Sequence, residues 1–125
     1  MPTDLSITVL EQKGLLSISL NKPKKRNALD KAMIEGLSNA LDKGQSPSVR
    51  CVLITGQDGA FCAGADLNEF YQLFDEEPDV LAAHIYDVAN LLHNNVIEKI
   101  FGLNKPVIAG INGIAAGAGM SLSLA

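Results

Sequence analysis

The sequence of 125 residues predicts an α/β fold, and three features of it carry that prediction. Strand-like segments alternate with segments of helical period along the chain. Two of the strand-like segments, Val49 to Thr55 and Val107 to Ile111, are apolar runs of the kind that lie inside a sheet. Each of these two runs leads into a glycine-rich loop and then into a helix.

Leu5 to Glu11 and Leu15 to Leu20 alternate apolar with polar residues around Lys13-Gly14, the pattern of a β-hairpin with one buried face. After Pro23 a basic turn leads to Asn27 and Asp30, either of which suits a helix N-cap. Met33, Leu37, Ala40 and Leu41 then recur at helical spacing as far as Gly44. Ser46-Pro47-Ser48 reads as a loop before the first apolar strand. Gly56 to Asp66 holds three glycines and a Gln-Asp pair, so it reads as loop throughout, delivering the chain to a helix near Leu67. From Pro78 to about Phe101 a long helix is expected, with Leu81, Ile85, Val88, Leu92 and Val96 on one packing face and Gly102 at its end. Lys105-Pro106 precedes the second apolar strand, which runs into Asn112 to Gly119 and a helical stretch to Ala125. There are no internal repeats or low-complexity tracts.

Composition places the chain among soluble globular domains, with 47% apolar and 19% charged residues. No apolar run approaches the ~20 residues that span a bilayer, and the acidic Asp4 and Glu11 do not suit a signal or transit peptide, so a cytoplasmic protein is expected. Cys51 and Cys62 lack C-x-x-C spacing, which argues against a disulfide or a zinc site and for a reducing compartment. The net charge of −4 argues against nucleic acid and membrane surfaces as partners. Four of the ten basic residues, Lys22, Lys24, Lys25 and Arg26, nevertheless fall within five positions. That cluster reads either as a solvated turn or as the seat of a small phosphate-bearing ligand.

The two glycine loops place free backbone N–H groups at helix N-termini, where developing negative charge is stabilised. Ala63, Gly64 and Ala65 crowd the first loop and Gly117, Ala118 and Gly119 the second, so little side chain would keep a ligand oxygen from the main chain. For one such loop alone, close packing of strand and helix is the better explanation. A pair of them favours binding.

Three motifs carry a family resemblance: Asn21-Lys22-Pro23-Lys24-Lys25-Arg26-Asn27-Ala28-Leu29, Ala60-Phe61-Cys62-Ala63-Gly64-Ala65-Asp66-Leu67, and Lys105 through Gly119. In this order they resemble the crotonase, or enoyl-CoA hydratase/isomerase, superfamily across the whole chain. The resemblance implies a spiral of ββα units, of which residues 1–125 would be the N-terminal part, and a homotrimer or hexamer at full length. It implies an acyl-CoA or enoyl-CoA substrate, with no cofactor apart from the CoA that the substrate carries and no metal. It assigns two oxyanion-hole N–H groups to Ala65 and Ala118. Lys24, Lys25 and Arg26 match the turn along the nucleotide end of CoA. Ala28, Ala63, Gly64, Asp66, Leu67, Ile114 and Gly117 match positions along the rest of the CoA path, although helix capping explains Asp66 equally well.

Hydratases of the family place the first of two catalytic glutamates where this chain has Ser121, and a lone serine has little basicity at neutral pH. The run Gly117-Ala118-Gly119-Met120-Ser121 instead resembles isomerases of the phenylacetate-degradation type. Their acid/base residue would fall beyond Ala125, so the chain alone could be inactive, a non-catalytic acyl-CoA binder. The other candidates are weaker. His84 and His93 lie nine residues apart, on opposite faces of one helix, and cannot share a metal. Asp75, Glu76, Glu77 and Asp79 read as a solvated helix entry, Glu69 lies nearer the loops, and Cys62 reads as a buried thiol. Gly113-x-x-x-Gly117-x-Gly119 also resembles the dinucleotide loop of short-chain dehydrogenases, but that loop belongs after the first strand of a sheet, with an acidic residue ~20 positions on.

Overall fold

The computed structural model describes residues 6–125. Strand β1 (Ile7–Gln12) and strand β2 (Leu15–Leu20) form the expected antiparallel hairpin, closed by Lys13 and Gly14 at positive φ. Leu5, which the sequence placed in the first strand, lies outside the described residues. Helix α1 (Lys31–Lys43) starts at Asp30, whose side chain accepts from the Met33 N–H at 2.7 Å. Asp30, not Asn27, is therefore the cap.

Strand β3 (Cys51–Gly56) pairs parallel with β2, and strand β5 (Val107–Gly110) pairs parallel with β3. The sheet order is β1-β2-β3-β5. A second, two-stranded parallel sheet joins β4 (Ala60–Cys62) to β6 (Ile114–Ala115). Helix α2 (Leu67–Tyr71) follows β4, and helix α3 (Pro78–Leu92) continues through a π-turn (His93–Ile97) into α4 (Glu98–Gly102). Helix α5 (Ala118–Leu124) follows β6. Strand, strand, helix thus repeats three times, the ββα arrangement that the resemblance implies.

Helix α1 buries Met33, Ile34, Leu37, Ala40 and Leu41, and the sheet turns Leu16, Ile18 and Leu20 of β2 and Val52 and Ile54 of β3 into the same core. Phe61, Val96, Ile100, Leu103 and Leu122 complete it. No helix among the described residues is long and apolar enough to cross a membrane.

Three expectations need correction. The two apolar runs are not buried on both faces: Leu53 of β3 points to the half-exposed side of the sheet, and Ile108 of the edge strand β5 is 52% exposed. An unbroken apolar run looks the same whether one face or both are covered. Gly56 to Asp66 is not all loop, because β4 lies inside it, fully buried. Three residues are too few to show a period against flanking glycines. The long helix is interrupted by the π-turn, and of its expected packing stripe in α3 only Val88 is buried, while Ile85 is 46% exposed.

Two close approaches join the small sheet to the loops around it. A Cβ on Gly113 would overlap the Gly59 carbonyl, and one on Gly119 would overlap the Cys62 carbonyl. Gly113→Ala is expected to lower stability by about 3 kcal/mol in urea unfolding, while Gly102→Ala, where a Cβ meets nothing within 4 Å, leaves it nearly unchanged.

Asp30 supplies a pH dependence. Burial pushes its carboxyl up, but the Lys22 ammonium at 2.6 Å and the Met33 amide outweigh burial and hold it below its ordinary 3.8. A carboxyl depressed on folding contributes stability that is complete above the unfolded value and is lost as pH falls through the folded one. The acid limb of a stability profile should therefore steepen below about pH 4, and Asp30→Asn, which retains a capping oxygen, should flatten it.

Candidate active site

The basic turn is a single 3-10 turn (Pro23–Lys25) ended by two non-glycine residues in the left-handed region, Arg26 at φ 51° and Asn27 at φ 57°. Asn27 is fully buried, and three hydrogen bonds hold it in this conformation. Its Oδ1 accepts from the Lys22 N–H at 2.8 Å, and its Nδ2 donates to the carbonyls of Ala60 at 2.8 Å and Gln57 at 3.1 Å. The turn is also joined to the first glycine loop through the backbone. The Ala63 N–H donates to the Arg26 carbonyl at 3.0 Å, the Leu29 N–H to the Gly64 carbonyl at 2.7 Å, and the Asp66 N–H to the Leu29 carbonyl at 2.9 Å.

That last pair of bonds makes Leu29 and Ala65 a parallel bridge, in which the N–H of Ala65 itself points away from Leu29. It has no acceptor among the described residues, and neither does the N–H of Ala118 at the first position of α5. Their neighbours are bonded: the Ala116 N–H donates to the Cys62 carbonyl at 3.0 Å, Gly119 to Ala116 at 2.8 Å and Ser121 to Gly117 at 3.1 Å. The two loops lie against each other, so that a Cβ on Gly64 would be 3.0 Å from the Ala116 carbonyl oxygen and 3.7 Å from the Ala118 nitrogen. Beneath them burial pushes the Cys62 thiol up, with the Gly64 amide opposing, so Cys62 is a poor nucleophile.

Two cavities meet at Ala65. One, of about 300 Å³, is a groove lined by Lys24, Lys25, Ala28, Ala63, Ala65, Asp66, Leu67 and Asn68. The other, of about 360 Å³, is almost wholly apolar, lined by Leu29, Ile34, Phe70, Ile85, Val88, Ala89, Leu92 and Ile97 together with Ala65, Ala118, Ser121 and His93. The half-exposed stripe of α3 is a cavity wall.

Seven of the residues expected along the CoA path or at the oxyanion position therefore line one groove, and Ala118 joins Ala65 on the second cavity. Gly64 lies in the contact between the loops. Arg26, Ile114 and Gly117 line neither cavity: Arg26 ends the basic turn, Ile114 pairs with Ala60 in the small sheet, and Gly117 precedes α5. Of the basic cluster, Lys25 reaches Asp66 at 2.9 Å and Lys22 reaches Asp30 at 2.6 Å, whereas Lys24 and Arg26 are exposed. Asp66 also caps α2 through the Asn68 N–H at 3.0 Å. Glu69 lies 3.5 Å from His84, which meets the Phe70 ring edge-on but makes no hydrogen bond at Nε2. Asp75, Glu76, Glu77 and Asp79 are exposed.

Sequence reasoning missed the structural part of Asn27 and the position of His93 on the cavity. Asn27 looked like a cap because Asn commonly is one. His93 would have needed the register of the π-turn.

The double duty of Asp66 separates two substitutions. Asp66→Ala removes both cap and ion pair and should lower stability by about 1–2 kcal/mol. Asp66→Asn keeps a capping oxygen, releases Lys25 into the groove and should stay within about 1 kcal/mol of the parent in thermal unfolding.

The enoyl-CoA hydratase/isomerase family model matches residues 10–125. The 1,2-epoxyphenylacetyl-CoA isomerase of Escherichia coli is 33% identical over 114 residues, which span 90% of this chain and 42% of that protein. The 2,3-dehydroadipyl-CoA hydratase of the same organism is 39% identical over 119 residues, 94% of this chain and 43% of the other. A solved enoyl-CoA hydratase from Bacillus anthracis superposes with a TM-score of 0.82 at 34% identity, covering 95% of this chain and 44% of that one. The chain thus spans less than half the length of these relatives. From a family match over nearly all its residues and a shared fold, the chain belongs to the enoyl-CoA hydratase/isomerase family.

Proposed function

We propose that the chain forms the thioester-binding part of an acyl-CoA enzyme that stabilises an enolate. The observation that carries this reading is the meeting of a lysine-lined groove and an apolar cavity at Ala65, with a second acceptor-free amide, Ala118, on the same cavity. The nucleotide end of CoA would lie toward Lys24, Lys25 and Arg26, and the acyl chain would enter the apolar cavity. The thioester oxygen would sit at the junction, accepting from both amides. As an α-proton leaves, charge grows on that oxygen, and each such donor is worth ~3 kcal/mol in the transition state.

Between the reactions of the family, isomerisation is favoured. The cavity presents Ser121 where a hydratase would present a glutamate, and Ser121 Oγ is directed at the Gly117 carbonyl at 3.4 Å. CoA enters as part of the substrate and no separate cofactor is invoked. We infer further that these residues are the N-terminal part of a crotonase-type domain, which assembles as a trimer or a dimer of trimers. A non-catalytic acyl-CoA binder would show the same affinity without turnover.

Isothermal titration with crotonyl-CoA tests the binding. Lys24→Glu with Arg26→Glu should weaken it by about 10-fold or more at low salt, an effect that shrinks as salt is added. Ala65→Pro deletes an N–H that has no acceptor among the described residues, so it should cost no hydrogen bond of the fold and lower turnover about 100-fold or more. Unchanged turnover in a folded Ala65→Pro variant would discard the oxyanion assignment.

A further inference from the structure

Among the side chains lining the apolar cavity, His93 is the one that carries an imidazole, with one ring nitrogen able to accept a proton and the other to donate one. The others are apolar apart from Ser121. Glu69 and His84 face each other between α2 and α3 and line neither cavity.

His93 opens the π-turn, and Glu98 closes it by donating its N–H to the His93 carbonyl. Five residues apart on an α-helix, two side chains would diverge by about 140°. The i→i+5 turn brings them onto one side, and Glu98 Oε1 lies 3.1 Å from His93 Nε2. A carboxylate this close to Nε2 favours the tautomer with its proton there, which puts the lone pair on Nδ1. Both side chains are more than half exposed, so proton exchange with solvent is open to the pair.

We propose that His93, oriented by Glu98 across the π-turn, is the proton-transfer group for the α-carbon of an acyl thioester in this cavity. The proposal rests on the thioester reading above and adds to it an acid/base group within these residues. In the step, the α C–H bond breaks and its proton goes to Nδ1. The electron pair forms the enolate C=C bond while the C=O π pair moves onto the oxygen held by the Ala65 and Ala118 amides. Return of a proton from the imidazolium to carbon, after exchange with water, restores a neutral thioester.

The test is α-hydrogen exchange of butyryl-CoA in D2O with the full chain, read by mass spectrometry of the recovered thioester, beside titration of the same proteins with butyryl-CoA. The expected result is exchange by the parent, about 100-fold slower exchange by His93→Gln at an affinity within about threefold, and recovery of His93→Ala by added imidazole. Glu98→Ala should slow the parent but not the His93→Ala variant, because it acts through the imidazole. Parent-rate exchange by His93→Gln, or butyryl-CoA binding by the parent without exchange, would overturn the proposal. Absence of binding by the folded parent would instead remove the thioester reading itself, and the proposal with it.

Discussion

The structure depends on bringing backbone directly against backbone where the small sheet meets its loops. Gly113 lies on Gly59 and Ala60, and Gly119 lies on Cys62, with no side chain between them. That approach sets the distance between the two loops and leaves the amides of Ala65 and Ala118 on one cavity. Any residue larger than glycine at Gly113 or Gly119 would separate the sheet from the loop or helix against it. The small residues of the motifs thus answer two requirements with one geometry, close packing and an unobstructed main chain.

Asn27 extends this frame to the basic turn. A buried primary amide that satisfies one donor and two acceptors of the backbone is well suited to hold a left-handed turn in place. It connects the turn to the segment Gln57 to Ala60, while Arg26 and Leu29 connect it to the first glycine loop. Lys24 and Lys25 are therefore presented beside Ala65 from a rigid support. Asp66 moderates the positive charge of the groove through Lys25, so the lysines form a local feature of an acidic protein.

Much of this was legible in the sequence where a residue's local chemistry is strong. The hairpin around Lys13-Gly14, the Asp30 helix start and the glycine loops follow from turn and capping preferences that act within a few residues. The groove residues were legible through motif resemblance, because the family pattern already encodes which distant loops meet. What the sequence did not show depends on long-range partners. Strand β4 is a strand because β6 pairs with it, 50 or so positions later in the chain. Leu53 and Ile108 look like core residues, but the helices cover the opposite face of their sheet. The π-turn has no proline or glycine to announce it, so the placement of His93 beside Glu98 could not be read from an ideal helical period.

The parallel pairings also determine when such a site can exist during folding. Ile18 meets Ile54, and Ile54 meets Ala109, across connections that include whole helices. The hairpin β1–β2 needs only local closure, whereas each parallel strand must wait for a long loop to close, which slows folding and raises contact order. The loop carrying Ala118 follows β6, the last strand in the chain, and lies against the loop carrying Ala65. The cavity shared by the two amides therefore requires these long-range closures and is absent from any partly folded form that holds only the hairpin and α1.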